Sequence, residues 1–257
     1  MATRTMHEDS DWLDRLLGRV RLLRYRLFGR GPSAAEWEAR VRRVVQDTVA
    51  TALPWIPAEG AAVLDVGANI GLFSEEILKS RPDARVWMFE PVAAHRAACA
   101  QRFAGNPRVR VEGFALGDKN FAGKIWKPKH NPGGNVIDEE IVERRRGFMD
   151  FRPEEIEVRV FDDYAREQGI ERIDFIKSDT EGYDHRVLRG ILPFLERTGC
   201  RPPILAELLR EDIHPEYASQ LEVLEALYRL GYERVDLSGM QDVQDFLFLP
   251  RGARPGS

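Results

Sequence analysis

The sequence predicts an α/β fold: a doubly wound, mostly parallel sheet with helices on both faces, preceded by a helical extension. Three observations predict it. Short apolar runs alternate with longer amphipathic stretches through most of the chain. The first core run, Val63-Leu64-Asp65-Val66, breaks into Gly67-Ala68-Asn69-Ile70-Gly71 and then a helix-like segment, which is the pattern of strand, tight turn and helix N-terminus. Acids stand at or just beyond the ends of successive apolar runs, at Asp65, Glu90, Asp118, Asp179 and Glu207, where open α/β sheets bind ligands.

The 257 residues suit one α/β domain with extensions. A net charge of −4 gives no argument for a nucleic-acid partner or an anionic membrane. No apolar run reaches ~18 residues, so no transmembrane segment is expected, and the N-terminus lacks a secretory apolar region. Cys99 and Cys200 have neither metal nor redox spacing and read as reduced thiols of a cytoplasmic protein.

Residues 1–57 read as the helical extension. In its first helix Leu13, Leu16, Leu17, Val20, Leu23 and Leu27 recur at helical spacing beside six arginines. It either docks on its own domain or on a second subunit, the latter making a homo-oligomer, or it lies on a membrane surface or grips an anionic substrate. Ser33-Ala34-Ala35-Glu36 has capping-box spacing and opens a second helix to about Leu53. The main domain, 58–250, then reads as strand 63–66, helix 71–80, strand 85–89, helix 91–104 with Pro91 in its first position, and strand 109–114. An insertion over 119–160 carries strand pieces at 124–127 and 156–161 around the loop from His130 to Asn135. It either selects the substrate or is a surface excursion. Helix 162–168, strand 173–178 and helix 184–196 follow. A strand from Ile204 then ends at Glu207, a helix spans 215–230, and an antiparallel pair (233–237, 246–250) precedes a loose tail, 251–257.

The glycine loop is G-x-N-x-G rather than G-x-G-x-x-G. Asn69 stands where a second glycine lets a pyrophosphate approach. That disfavours a dinucleotide and leaves an NAD-dependent dehydrogenase as the alternative enzyme. S-adenosyl-L-methionine has no pyrophosphate, and its aminoacyl end and ribose suit such a loop, with Asp65 near enough to help. Glu90 lies nineteen residues beyond Gly71, about where an acid takes a ribose diol.

Residues 177–184 read Lys-Ser-Asp-Thr-Glu-Gly-Tyr-Asp. With D-V-G-A-N-I-G at 65–71, F-E-P at 89–91 and A-L-G-D at 115–118, the chain resembles the FkbM family of methyltransferases from about Val63 to Glu207. The resemblance implies a class I methyltransferase (Rossmann-like) fold with S-adenosyl-L-methionine as cofactor, and many members are O-methyltransferases. On that reading Gly67, Ala68, Asn69, Gly71, Glu90 and Pro91 cradle the cofactor. Asp118 reaches the adenine amino group, Leu116 packs near the ring, and Asp179 holds the methionine ammonium.

Methyl transfer to an alcohol is an in-line displacement in which the acceptor loses a proton. Glu181, Asp179 and Glu207 are the candidate bases, with His130 and His185 behind them and His7, His95 and His214 as surface residues. Asp179, Glu181, Asp184 and Glu207 also suit an all-oxygen Mg²⁺ site, although nothing in the pattern demands one and no metal is expected. The expected function is O-methyl transfer to a hydroxylated small molecule, such as a sugar, a glycoside or another secondary metabolite. The remaining alternative is a non-catalytic protein that binds the same cofactor.

Overall fold

A computed structural model describes residues 34–129, 134–145, 150–211, 214–237 and 243–255. The expected arginine-rich helix and His130 lie outside them. The chain divides after Arg43 into two compact units. The first contributes the opening of helix α1 (Ala34–Ala52), where Arg42 pairs with Glu38 at 3.0 Å. The second is the α/β body.

In chain order the body opens with β1 (Ala62–Val66), α2 (Leu72–Ser80), β2 (Arg85–Phe89), α3 (Ala93–Arg102) and β3 (Val109–Glu112). The insertion supplies β4 (Ala115–Leu116), β5 (Phe121–Pro128), α4 (Glu139–Arg145) and β6 (Phe151–Arg159). Then come α5 (Phe161–Gln168), β7 (Phe175–Ser178), α6 (Asp184–Thr198), β8 (Ile204–Leu209), α7 (Tyr217–Arg229), β9 (Tyr232–Asp236) and β10 (Val243–Pro250). The main sheet has seven strands in the order β3-β2-β1-β7-β8-β10-β9. Only β10 runs against its neighbours; the other pairings are parallel. The expected doubly wound sheet and antiparallel closing pair are both present.

Period-two alternation splits the core into two layers. Leu64, Ile176, Ala206 and Phe246 face α5, α6 and α7, where Phe161, Val187, Ile191 and Leu227 meet them. Val63, Val86, Phe175, Leu205 and Leu247 face the other way, onto the end of α1, α2 and α3. Each large side chain so buried contributes about 1.5–3 kcal/mol, which fixes the register: a slip of one residue would exchange the two layers.

Several expectations are corrected. The strand read as 109–114 leaves the main sheet after Glu112, because Phe114 turns into an aromatic cluster with Phe89 and Tyr164 and β4 pairs with β6 instead. The insertion is no loop with fragments. β5 and β6 pair over eight residues and, with β4, form a second sheet. Pro91 is not the first residue of its helix; the Glu90 carboxylate holds Val92 N–H at 2.8 Å, keeping Val92 extended, and α3 starts at Ala93. β8 runs on to Leu209 because β10 pairs along its whole length, so Glu207 lies inside the strand. The tail is tied down at its start, where Arg251 N–H donates to Gly231 O at 2.9 Å. No helix among the described residues is long and apolar enough to cross a membrane.

Candidate active site

Two loops at the carboxyl ends of β1 and β7 meet here. Gly67, Asn69 and Gly71 all have positive φ (71°, 52° and 83°), so the loop alternates into the left-handed region at every second residue. Asparagine tolerates that region better than most side chains, which explains its standing between two glycines. Gly67 is also a point of contact: a Cβ there would lie 1.9 Å from the Asp179 carbonyl oxygen. On the partner loop Glu181 (φ 56°) precedes Gly182 (φ 102°). A glutamate held left-handed costs of order 1–3 kcal/mol, strain that tends to gather at functional sites.

Glu90 ties the glycine loop to the end of β2. Its carboxylate accepts Asn69 N–H and Val92 N–H, each at 2.8 Å, and only 4% of the residue is exposed. Each oxygen keeps a lone pair for a further donor. Glu90→Ala is therefore expected to weaken cofactor binding about tenfold to hundredfold, from a lost charge-assisted contact of about 1.5–3 kcal/mol. It should also lower the melting temperature, since two backbone donors lose their acceptor. Calorimetric titration beside a thermal melt checks both, and unchanged affinity in the folded variant removes Glu90 from the site.

Beneath the loops lies a row of charge. Residues 65, 177, 207 and 245 share the sheet face of Val63, Phe175, Leu205 and Leu247, as the two-residue period requires. Lys177, buried in β7, places Nζ 3.4 Å from both Asp65 Oδ1 and Asp179 Oδ2 and donates to Gly67 O at 2.8 Å. Burial pulls its pKa down, but Asp179 and Asp65 outweigh burial and hold it above the ordinary lysine range. Asp65 is fully buried, accepts Ser74 Oγ–H at 2.6 Å and faces Lys177. It supports the loop from below. Asp179, half exposed, faces outward at the carboxyl end of β7.

Next in the row is Glu207, directly opposite Asp245 across the β8–β10 pairing. Its Oε2 is buried without a hydrogen-bond partner. Burial raises its carboxyl well above the ordinary range, helped by Asp179, Glu181, Asp184 and Asp245. Asp245 is raised as well, by burial and then by Asp179, with Lys177 opposing. Asp184, on the other side of the loop, accepts Ser178 Oγ–H and Thr180 N–H (3.1 Å) and pins the turn. Burial lifts it to about 6.

The remaining sequence candidates are placed differently. Asp118 lies 3.6 Å from Arg186 and 3.9 Å from Arg189 of α6, which oppose its charge, while its buried Oδ1 has no hydrogen-bond partner. Leu116 is packed in the core. Ala68, within the glycine loop, is buried. His185 is 1% exposed and bonded to Glu216 (3.0 Å) and His214 (3.2 Å). Burial lowers its pKa, and it is sealed from any acceptor. His214 is buried as its partner, not a surface residue. Lys177 and Asp245 were missed. Lys177 opens the K-S-D-T-E-G stretch, a readable signal, whereas Asp245 has none before the register of β10 is known.

A family model described as the methyltransferase FkbM domain matches residues 65–234. The chain belongs to the FkbM methyltransferase family. Its methyl donor is S-adenosylmethionine, as the sequence resemblance implies. The 2-O-methyltransferase NoeI of Sinorhizobium fredii is 28% identical over 146 residues, 53% of this chain and 59% of that protein, so the match spans about three fifths of that relative. Methyltransferase sdnD of Sordaria araneosa is 30% identical over 189 residues, covering 58% of this chain and 71% of its own. Among solved structures, magnesium protoporphyrin IX methyltransferase from Synechocystis with bound S-adenosylmethionine has a TM-score of 0.47 at 11% identity, over 88% of each chain.

The residues of this FkbM protein fit that donor. Asn69 Oδ1, Thr180 Oγ1 and Glu207 Oε2 are buried oxygens without partners around the two loops. The donor brings what such atoms lack: an ammonium, two ribose hydroxyls and an adenine amino group. Its positive charges also match a row of carboxylates opposed by one lysine.

Proposed function

We propose that this FkbM methyltransferase transfers the methyl group of S-adenosylmethionine to a hydroxyl of a small molecule, a sugar, glycoside or other secondary metabolite. The observation that carries the reading is the strained Glu181-Gly182 turn beside half-exposed Asp179, at the carboxyl end of β7 and next to the glycine loop. The 2-O-methyltransferase among its relatives supports oxygen as the acceptor atom.

When bound, the donor supplies an electrophilic methyl on a sulfonium. The chain does the rest. Asp179 holds the ammonium and Glu90 the ribose hydroxyls, which aligns the donor. Glu181 accepts the hydrogen of the acceptor hydroxyl and passes the proton into the acid cluster as the new C–O bond forms. The acceptor enters beside Tyr183, which also lines a cleft of about 540 Å³ with Phe121, Lys124, Asp138, Arg186 and Glu216. Mixed charges and two aromatic rings suit a polyhydroxylated ligand. The free thiols Cys99 and Cys200 fit a cytoplasmic setting.

Titration of the protein with S-adenosylmethionine, S-adenosylhomocysteine and NAD is expected to give binding of the first two only. Transfer of labelled methyl to a panel of hydroxylated metabolites and glycosides then tests the acceptor. Binding of NAD in preference to either sulfur compound would sink the proposal, and label found only on nitrogen or carbon would redirect it.

A further inference from the structure

The pair Glu207 and Asp245 is hard to account for as structure. Two carboxyls directly opposite on antiparallel strands are unfavourable neighbours. Glu207 is half-buried, and its Oε2, which is fully buried, meets no donor among the described residues. A buried orphan oxygen costs about 1–3 kcal/mol, more if charged. The strongest charges acting on it are all acids: Asp179 and Glu181 from the β7–α6 loop, Asp184 from α6 and Asp245 from β10. Lys177 is already engaged by Asp65, Asp179 and two backbone carbonyls. A negative Glu207 is thus uncompensated until a cation arrives.

We infer that Glu207 is the site's proton store: it gives one proton to solvent on binding of the cationic donor, and takes one back from the acceptor hydroxyl once the methyl group has moved. The inference rests on the donor proposed above. The balance closes. Before transfer the site holds a sulfonium and a carboxylate, and afterwards a neutral thioether and a carboxylic acid. The C–O bond forms with the acceptor's electron pair, the S–C pair stays on sulfur, and the hydroxyl proton ends on Glu207 by way of Glu181. The summed charge of the row and the bound ligand is the same before and after the step, because Glu207 loses its negative charge as sulfur loses its positive one, so no ion is left without its counter-ion in a region of low dielectric. The protonated product form is also the resting form of the free protein, and neutral sulfur no longer holds Glu207 ionised.

The test separates charge from shape. S-adenosylmethionine and S-adenosylhomocysteine share an ammonium and differ at sulfur. Calorimetric titrations at one pH near neutrality, in buffers of different ionisation enthalpy, count the protons released. About one proton is expected with S-adenosylmethionine and close to none with S-adenosylhomocysteine. Glu207→Gln should bind the donor without releasing a proton. If that variant does not fold, the wild type still decides. Below the free-state titration of Glu207 its dissociation constant for S-adenosylmethionine should fall about tenfold per pH unit, with that for S-adenosylhomocysteine nearly flat. Equal proton release for both ligands, none for either, or full release retained in Glu207→Gln overturns the inference and leaves the donor standing. Absence of binding by both ligands overturns the donor reading itself.

Discussion

Glu181→Gln is expected to lower the single-turnover rate by about 10²–10⁴-fold, the usual contribution of a general base, with donor affinity nearly intact. The amide keeps the size and one acceptor oxygen of the carboxylate but cannot take the hydroxyl proton. Because the residue already sits at φ 56°, the change adds no new backbone strain. Asp179→Asn should behave differently and lose donor affinity as well. Its carboxylate is half exposed and faces Lys177, and the amide would leave the lysine with one counter-ion in place of two. Affinity and single-turnover rate measured on both variants separate the roles. A Glu181→Gln enzyme that turns over normally would move the proton's first stop to Glu207.

Gly67→Ala should produce the largest loss of stability from a single methyl group. The added Cβ would fall 1.9 Å from the Asp179 carbonyl oxygen and 2.9 Å from its carbon, both backbone atoms that no rotamer change can move. Overpacking of this kind costs about 1–3 kcal/mol, and a side chain at φ 71° adds about 1–2 kcal/mol. For a chain of this length each kcal/mol is worth roughly 2–4 °C. A fall of about 4–20 °C in Tm is expected, with donor binding lost because the two loops are pushed apart. Gly105→Ala is the control: its φ is also positive, but nothing lies within 4 Å of the new Cβ, so only the backbone cost appears. Equal melting temperatures for the two variants would show that the contact with Asp179 does not matter.

Much of this architecture was legible in the sequence, and the reasons differ by element. β1, β2 and β7 are apolar runs that end in glycine loops or acids, so period and punctuation agree. The glycine loop, Glu90 and Asp179 could be placed because their positions follow from a strand end alone. The second sheet was harder. β6 reads Phe-Arg-Pro-Glu-Glu-Ile-Glu-Val-Arg, whose charges and proline hide a strand that is largely exposed. Residues whose role depends on a neighbour from another strand stayed hidden. Lys177 in an apolar run gives no hint that Asp65, with five strands between them in sequence, makes its burial tolerable. His185 looked like a candidate base until His214 and Glu216 closed around it. Asp245 became visible only through its pairing with Glu207.

The position of β10 also bears on how the chain comes to be made. A ribosome delivers β8 and β9 before β10, yet β10 must enter between them. Until it does, Ile204–Leu209 presents an unpaired and largely apolar rim, the kind of template on which a second nascent chain can add. At about 5–20 residues per second, the stretch from Leu209 to Pro250 takes roughly 2–8 s to synthesise. Through most of that interval Asp245, the carboxyl that will stand opposite Glu207, has not yet been translated.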